Sequence, residues 1–451
     1  MDRRLQLDDI TKTFAELVAG TEMSSRTDLV RQGKRAFIDY LAAALAAAHE
    51  PPVERLGRLL GGKGGITPLL GRNETAIPES AALFNGFTSH YLDYDDAQAN
   101  VMGHISTVIF SALLAVTEAN DRTSDFLNAY MAGVEIEGIL GHSLNPCHKK
   151  RGWHPTATLG AIGAAAAIAR YKRLSVADTA EVLSLGATQA AGLGLEAGSD
   201  AKPLHSGFAA RNGVTAYLLH AEAGLTASDR PFDNKDGWVR TVGGNALSAE
   251  DIRRAWLAPG QLLSPGLWMK EHQYCSGAIC GVAGCRELYR RGYTMRRIKK
   301  VVFHFPAGAD VSLHYIHPRT GQEGRFSMEY VAWQALTYGD VDDKLFLLTH
   351  VPDAFEKALP RLKRSGDLPK APKEHKEIRI SLVTNDGEYA EANVLDPPGS
   401  PQRPFTDEEL RGKLTRASSK PYADKAFRAV ETWPEGRMDG VLDLLNGSEI
   451  N

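Results

Sequence analysis

The chain has 451 residues, 24% charged and 43% hydrophobic, which is enough to bury more than one core and predicts about two domains. Its 52 lysines and arginines nearly balance 55 aspartates and glutamates, a net charge of −3, so no nucleic acid and no membrane surface is expected as a partner. Only four cysteines are present, which excludes a disulfide scaffold and predicts reduced thiols in the cytoplasm.

The first residues, MDRRLQL, carry charge with no apolar segment behind them, and the apolar stretches at 41–48 and 159–169 fall short of the ~20 residues a bilayer requires. From about residue 7 to 260 the periodicity is helical. Apolar residues recur every three or four positions over 35–48, 106–120 and 175–191, and Ser175 is placed as an N-cap with Asp178 three residues on. Abundant alanine favours close helix packing at no cost in side-chain entropy.

After Pro265 the texture changes. Residues 298–306 (IKKVVFHFP) are β-branched and aromatic, and 378–382 alternate before Asp386-Gly387, a hairpin turn that leads into a second strand at 389–394. Helical spacing returns at 326–336 and 345–358. Pro397, Pro398, Pro401 and Pro404 close this stretch, and Thr406-Asp-Glu-Glu409 forms a capping box for a further helix. The expected fold is mainly α with an α+β second domain.

Several familiar motifs fail. Gly192-Leu-Gly194-Leu-Glu-Ala-Gly198 has one residue too many for a dinucleotide fingerprint and follows a helix rather than a strand. Lys63 lies among glycines without the serine or threonine of a phosphate loop. Cys275, Cys280 and Cys285 recur every five residues, which sends thiols to different helix faces and gives no zinc pair.

Four polar clusters interrupt the apolar pattern at helix ends. The first runs from His90 through Asp93, Asp95 and Asp96 to Gly103, His104 and Ser106. The second is Gly152-Trp-His154-Pro-Thr156. The third extends from Gly198 through Lys202 and His205 to Arg211 and Gly213, and the fourth is Lys270-Glu-His272-Gln-Tyr-Cys275. Acid, imidazole and ammonium groups together suit proton transfer at a carbon next to a carboxylate. A positioned base must remove the proton while cations hold the charge that develops. For each residue a plain structural role, as cap, core histidine or solvated loop charge, is the competing reading.

The combination of Leu92-Asp-Tyr-Asp-Asp96, Gly103-His104, Gly152-Trp-His-Pro-Thr156, Ala201-Lys-Pro-Leu-His205 with Ala-Ala-Arg-Asn-Gly213, and Phe326-Ser with Tyr330 resembles the MmgE/PrpD family, which includes 2-methylcitrate dehydratase, cis-aconitate decarboxylase and iminodisuccinate epimerase. The resemblance implies a large helical domain (1–265 and 405–451), a smaller α+β lid domain (266–404), a homodimer, and catalysis with no cofactor and no metal. It places Asp93, His104, His154, Lys202, Lys270 and Tyr330 in the cleft between the two domains, with Cys275, His205 and Arg211 as further substrate-binding residues. Asp93 and His104 are expected to transfer protons or donate hydrogen bonds. Lys202, His154 and Lys270 are expected to bind carboxylates or supply a proton, and Lys202 also has the chemistry of an acid or base.

The departures from the family bear on the substrate. Ala97 stands where decarboxylases and many dehydratases carry threonine, Cys275 where cis-aconitate decarboxylase carries histidine, and Ile105 where proline is usual. Asp200, if it faces the cleft, would discourage a tricarboxylate. The first reading is a cofactor-independent hydro-lyase of the 2-methylcitrate dehydratase kind. An iminodisuccinate-type epimerase, a cis-aconitate-type decarboxylase and a non-catalytic binding paralogue are alternatives, and a Cys275 hydrolase is a remoter one.

Overall fold

The computed structural model describes residues 9–447 except 24, 234–235, 245–246, 371 and 373–374. The Pro155–Tyr171 helix, PTATLGAIGAAAAIARY, is buried along its entire length. Its small side chains allow Thr123–Leu144 and Ala201–Ala221 to lie against it. A Cβ at Gly213 would collide with Ala164, and one at Gly163 with Glu137. Ser175 caps the Val176–Thr188 helix by accepting from the Asp178 amide, as its position predicts.

One hydrophobic core draws on residues from Ile10 to Met269 and resumes from Phe405 to Leu445. Thr406 and Glu409 form the expected capping box of the Asp407–Ala417 helix. That helix packs on Thr27–Ala47, held by Arg35 on the Phe405 carbonyl and the Asp407 carboxylate, and by Lys413 on Asp39 at 2.6 Å.

A second core gathers residues from Trp268 to Ala392, together with Ala97 and Ala197. Its sheet has the order Leu362–Leu368, Ile298–Pro306, Ile378–Thr384, Tyr389–Val394; the first pair is parallel and the others antiparallel. Ile378, Ile380 and Leu382 point inward under the Ile279–Arg290 helix. Gly387 turns the hairpin at φ 89°, a conformation that favours glycine. The molecule is thus mainly α with an α+β second part. Among the described residues no helix is long and apolar enough to cross a membrane.

Two expectations are corrected, and one strand has no counterpart among them. The helix at 106–120 stops at Leu114. The helical spacing of 345–358 resolves into a 3-10 turn, Asp343–Leu347, and a short helix, Asp353–Ala358, because Pro352 holds the residue before it in extended conformation. The edge strand Leu362–Leu368 reads LKRSGDL, too charged for its pattern to signal a strand, and it forms by pairing with Ile298–Pro306.

Candidate active site

Close helix packing brings the polar clusters together. The Pro78–His90 and Ala201–Ala221 helices approach so tightly at Gly86 and Gly207 that a Cβ on Gly86 would lie 2.8 Å from the Gly207 Cα. This contact sets Lys202, in the first turn of its helix, against His90, in the last turn of the other. After His90 the chain turns through Asp93 at φ 53°, a left-handed conformation that aspartate tolerates better than most residues. Ala97 and Gln98 then pair with Leu267 and Trp268, which leaves Lys270 beneath the acidic turn. Buried Arg325 fixes the turn from below by donating to the carbonyls of Leu92 at 2.7 Å and Gln273 at 3.0 Å.

Lys202 donates to the Asp93 carboxylate and, at 2.9 Å, to His90 Nε2. An ammonium has no acceptor, so Nε2 of His90 must accept, and its Nδ1–H donates to Asp95 at 2.9 Å. Lys270 lies 3.3 Å from Asp93 Oδ2 and donates to the Asp93 carbonyl. His104 approaches Asp93 at 3.5 Å through Nε2 and Asp95 at 3.1 Å through Nδ1. Burial alone would raise Asp93, but the Lys202 and Lys270 ammonium groups hold it well below the usual carboxylate range. His104 is pushed down to about 3, chiefly by burial and against the pull of Asp95, so it is a neutral imidazole at neutral pH. His90, Asp93, Asp95 and His104 are close enough to share a cation. The cations found against Asp93 are Lys202 and Lys270.

A cavity of about 600 Å³ opens over this cluster, walled by Asp93, His104, His154 and Lys202 on the helical side and by Cys275 and Ser276 of the α+β part. Ala97 also lies on its wall. His154 caps its helix and meets His205, Nδ1 to Nδ1, at 2.9 Å. Lys270 and His205 stand behind the lining residues.

Three further sequence-derived expectations do not meet this cavity. Tyr330 is fully buried among Trp333, Phe346 and Phe355, and its hydroxyl donates to the Leu345 carbonyl at 3.0 Å. Arg211 stacks over Phe208 two turns beyond Lys202. Asp200 is exposed and accepts from Gln322 at 2.9 Å, so it does not charge the cleft. Three cavity lysines, Lys149, Lys376 and the exposed Lys370, were not anticipated. Lys149 belongs to a basic run, Lys149-Lys150-Arg151, that resembles a solvated loop, and Lys376 belongs to no motif.

A mainly helical body and an α+β part share a cavity rich in ammonium and imidazole groups. The chain belongs to the MmgE/PrpD family: the model of the MmgE/PrpD N-terminal domain matches residues 12–249. Over 438 residues it is 25% identical to cis-aconitate decarboxylase of Mus musculus, covering 92% of this chain and 88% of that one. It is 26% identical over 455 residues to the cis-aconitate decarboxylase-like protein oryM of Aspergillus oryzae, covering 94% and 92%. It is also 27% identical over 245 residues to human cis-aconitate decarboxylase, covering 52% and 50%.

Proposed function

We propose that the protein is a cytoplasmic, homodimeric, cofactor-independent lyase that abstracts a proton α to a carboxylate of a small di- or tricarboxylic acid, with dehydration as its reaction. The observation that carries this reading is the cavity wall on which a neutral imidazole, His104, stands beside ammonium groups held by Asp93. In the proposed roles His104 takes the C–H proton, and Lys202 holds the carboxylate on which charge develops, with Lys270 bracing the shared Asp93 from behind. The departing β-hydroxyl leaves as water with a proton from the Lys202 ammonium. Four unpaired thiols support a reducing compartment. The dimer rests on the family resemblance.

Decarboxylation of a cis-aconitate-like acid is the second reading, favoured by the names of relatives matched along most of the chain. It needs a proton donor and no base. Cys275 on the cavity wall, in place of the histidine of the decarboxylase pattern, weighs toward the first reading.

The test is incubation in D₂O with 2-methylcitrate, citrate, cis-aconitate and iminodisuccinate, followed by proton NMR, with Lys202→Ala and His104→Ala as controls. Exchange or loss of the α-proton that both variants abolish supports proton abstraction. Release of CO₂ from cis-aconitate without α-exchange in the other acids supports decarboxylation. No reaction with any acid overturns both readings.

A further inference from the structure

The ammonium groups at the acidic turn are balanced before any ligand arrives, since Lys202 and Lys270 both contact Asp93. Two other cations of the cavity are not. Lys149, from the Cys147–Lys150 turn of the helical part, donates at 2.8 Å to the Ser312 hydroxyl. Lys376, just before the Ile378–Thr384 strand, donates at 2.9 Å to the Ser276 hydroxyl and lies over the Trp268 ring. An ammonium has three protons to give, and each of these lysines gives one to a neutral oxygen. Among the described residues neither is paired with a carboxylate. Both are half-buried, and Cys275 lies close enough to interact with both. Two like charges partly withdrawn from water raise each other's energy, and burial pushes Lys376 down to about 8 and Lys149 below its ordinary value. A bound anion relieves this cost, since the wall carboxylates, Asp93 and Glu377, form no ion pair with either lysine.

We propose that Lys149 and Lys376, with the hydroxyls of Ser276 and Ser312, form a second anion subsite in the cavity that takes a distal carboxylate of the substrate. The assignment rests on the carboxylate reading above and deepens it by naming the residues that hold the distal anionic group. Because Asp93 already satisfies the lysines at the reacting end, most of the charge-driven binding comes from this distal pole. A monocarboxylate is therefore a poor ligand, and the subsite, spanning helical and α+β parts, draws the two together over the substrate.

The test is calorimetric titration with tricarballylate, which carries three carboxylates and no hydroxyl to lose, and with butyrate. The unsubstituted protein is compared with Lys149→Gln, Lys376→Gln and the double variant, each verified as folded by circular dichroism. Each substitution is expected to weaken tricarballylate by about tenfold or more, and the unsubstituted protein to bind butyrate far more weakly than tricarballylate. Unchanged tricarballylate affinity in the variants, or no binding by the unsubstituted protein, overturns the subsite. If the lysine-dependent binding is present but no acid undergoes exchange or elimination, the subsite stands and the lyase reading falls. Should a glutamine variant fail to fold, Lys149→Met and Lys376→Met carry the same comparison.

Discussion

His154 and His205 face each other through their Nδ1 atoms at 2.9 Å. One nitrogen must donate and the other accept, and two neutral rings meeting in this way hold opposite tautomers. Burial, reinforced by neighbouring cationic groups, pushes His205 down to about 4 and His154 well below its ordinary value. The tautomer His154 presents to the cavity is therefore set by a residue behind it.

His205→Phe removes that control. The variant is expected to lose about tenfold or more in kcat/KM at neutral pH, the scale of one buried hydrogen bond. Steady-state kinetics check it, and an unchanged kcat/KM would detach the pair from the chemistry.

Asp93→Asn keeps a residue that tolerates positive φ but leaves Lys202 and Lys270 facing a neutral amide. A folded protein with kcat lower by roughly 10²-fold or more is expected. Asp93→Val adds a β-branched side chain at φ 53° and is expected to lower the melting temperature as well. Melting curves and turnover of the two variants separate charge from strain.

Glu137 is fully buried, neither carboxylate oxygen has a hydrogen-bond partner, and burial followed by the nearby Asp96 holds it well above the usual carboxylate range. The folded state keeps the proton that the unfolded chain loses near pH 4.5. Its contribution to stability is thus complete below about pH 4.5 and is lost as pH rises toward the folded value, by about 1.4 kcal/mol per pH unit. Glu137→Gln does not titrate. Its melting temperature relative to the unsubstituted protein is expected to be constant below pH 4.5 and to rise steadily above it, as thermal melts from pH 4 to 8 will show.

Tyr330→Phe deletes a hydroxyl bonded to the Leu345 carbonyl inside the second core. A loss of about 1 kcal/mol in stability with KM unchanged is expected. A selective rise in KM, measured beside a urea titration, would return this residue to the substrate.

Local chemistry made most of the fold legible. Ser175, Thr406 and Gly387 announce their structures through hydrogen-bonding groups or backbone freedom within a few residues. The Leu362–Leu368 strand has no such signal, because its partner is more than 50 residues away. At the site, Asp93, His104, Lys202 and His154 stood out as polar interruptions of apolar helices, and the fold gathers them on one wall. Tyr330 carries its motif but turns its hydroxyl inward. Lys149 and Lys376 become notable only when the cavity is seen, since an unpaired charge means little until its surroundings are known.

Lys413 donates to the carbonyl of Tyr94, inside the acidic turn and 319 positions earlier in the chain, as well as to Asp39. During synthesis the turn that carries Asp93 and Asp95 leaves the ribosome long before this lysine exists. Its carboxylates, together with Asp39, must wait for Lys202, then Lys270, and finally the returning helix before their charges are all countered. The centre of the molecule is therefore completed from its far end, and a chain halted before residue 413 lacks the cation that meets Asp39 and the Tyr94 carbonyl.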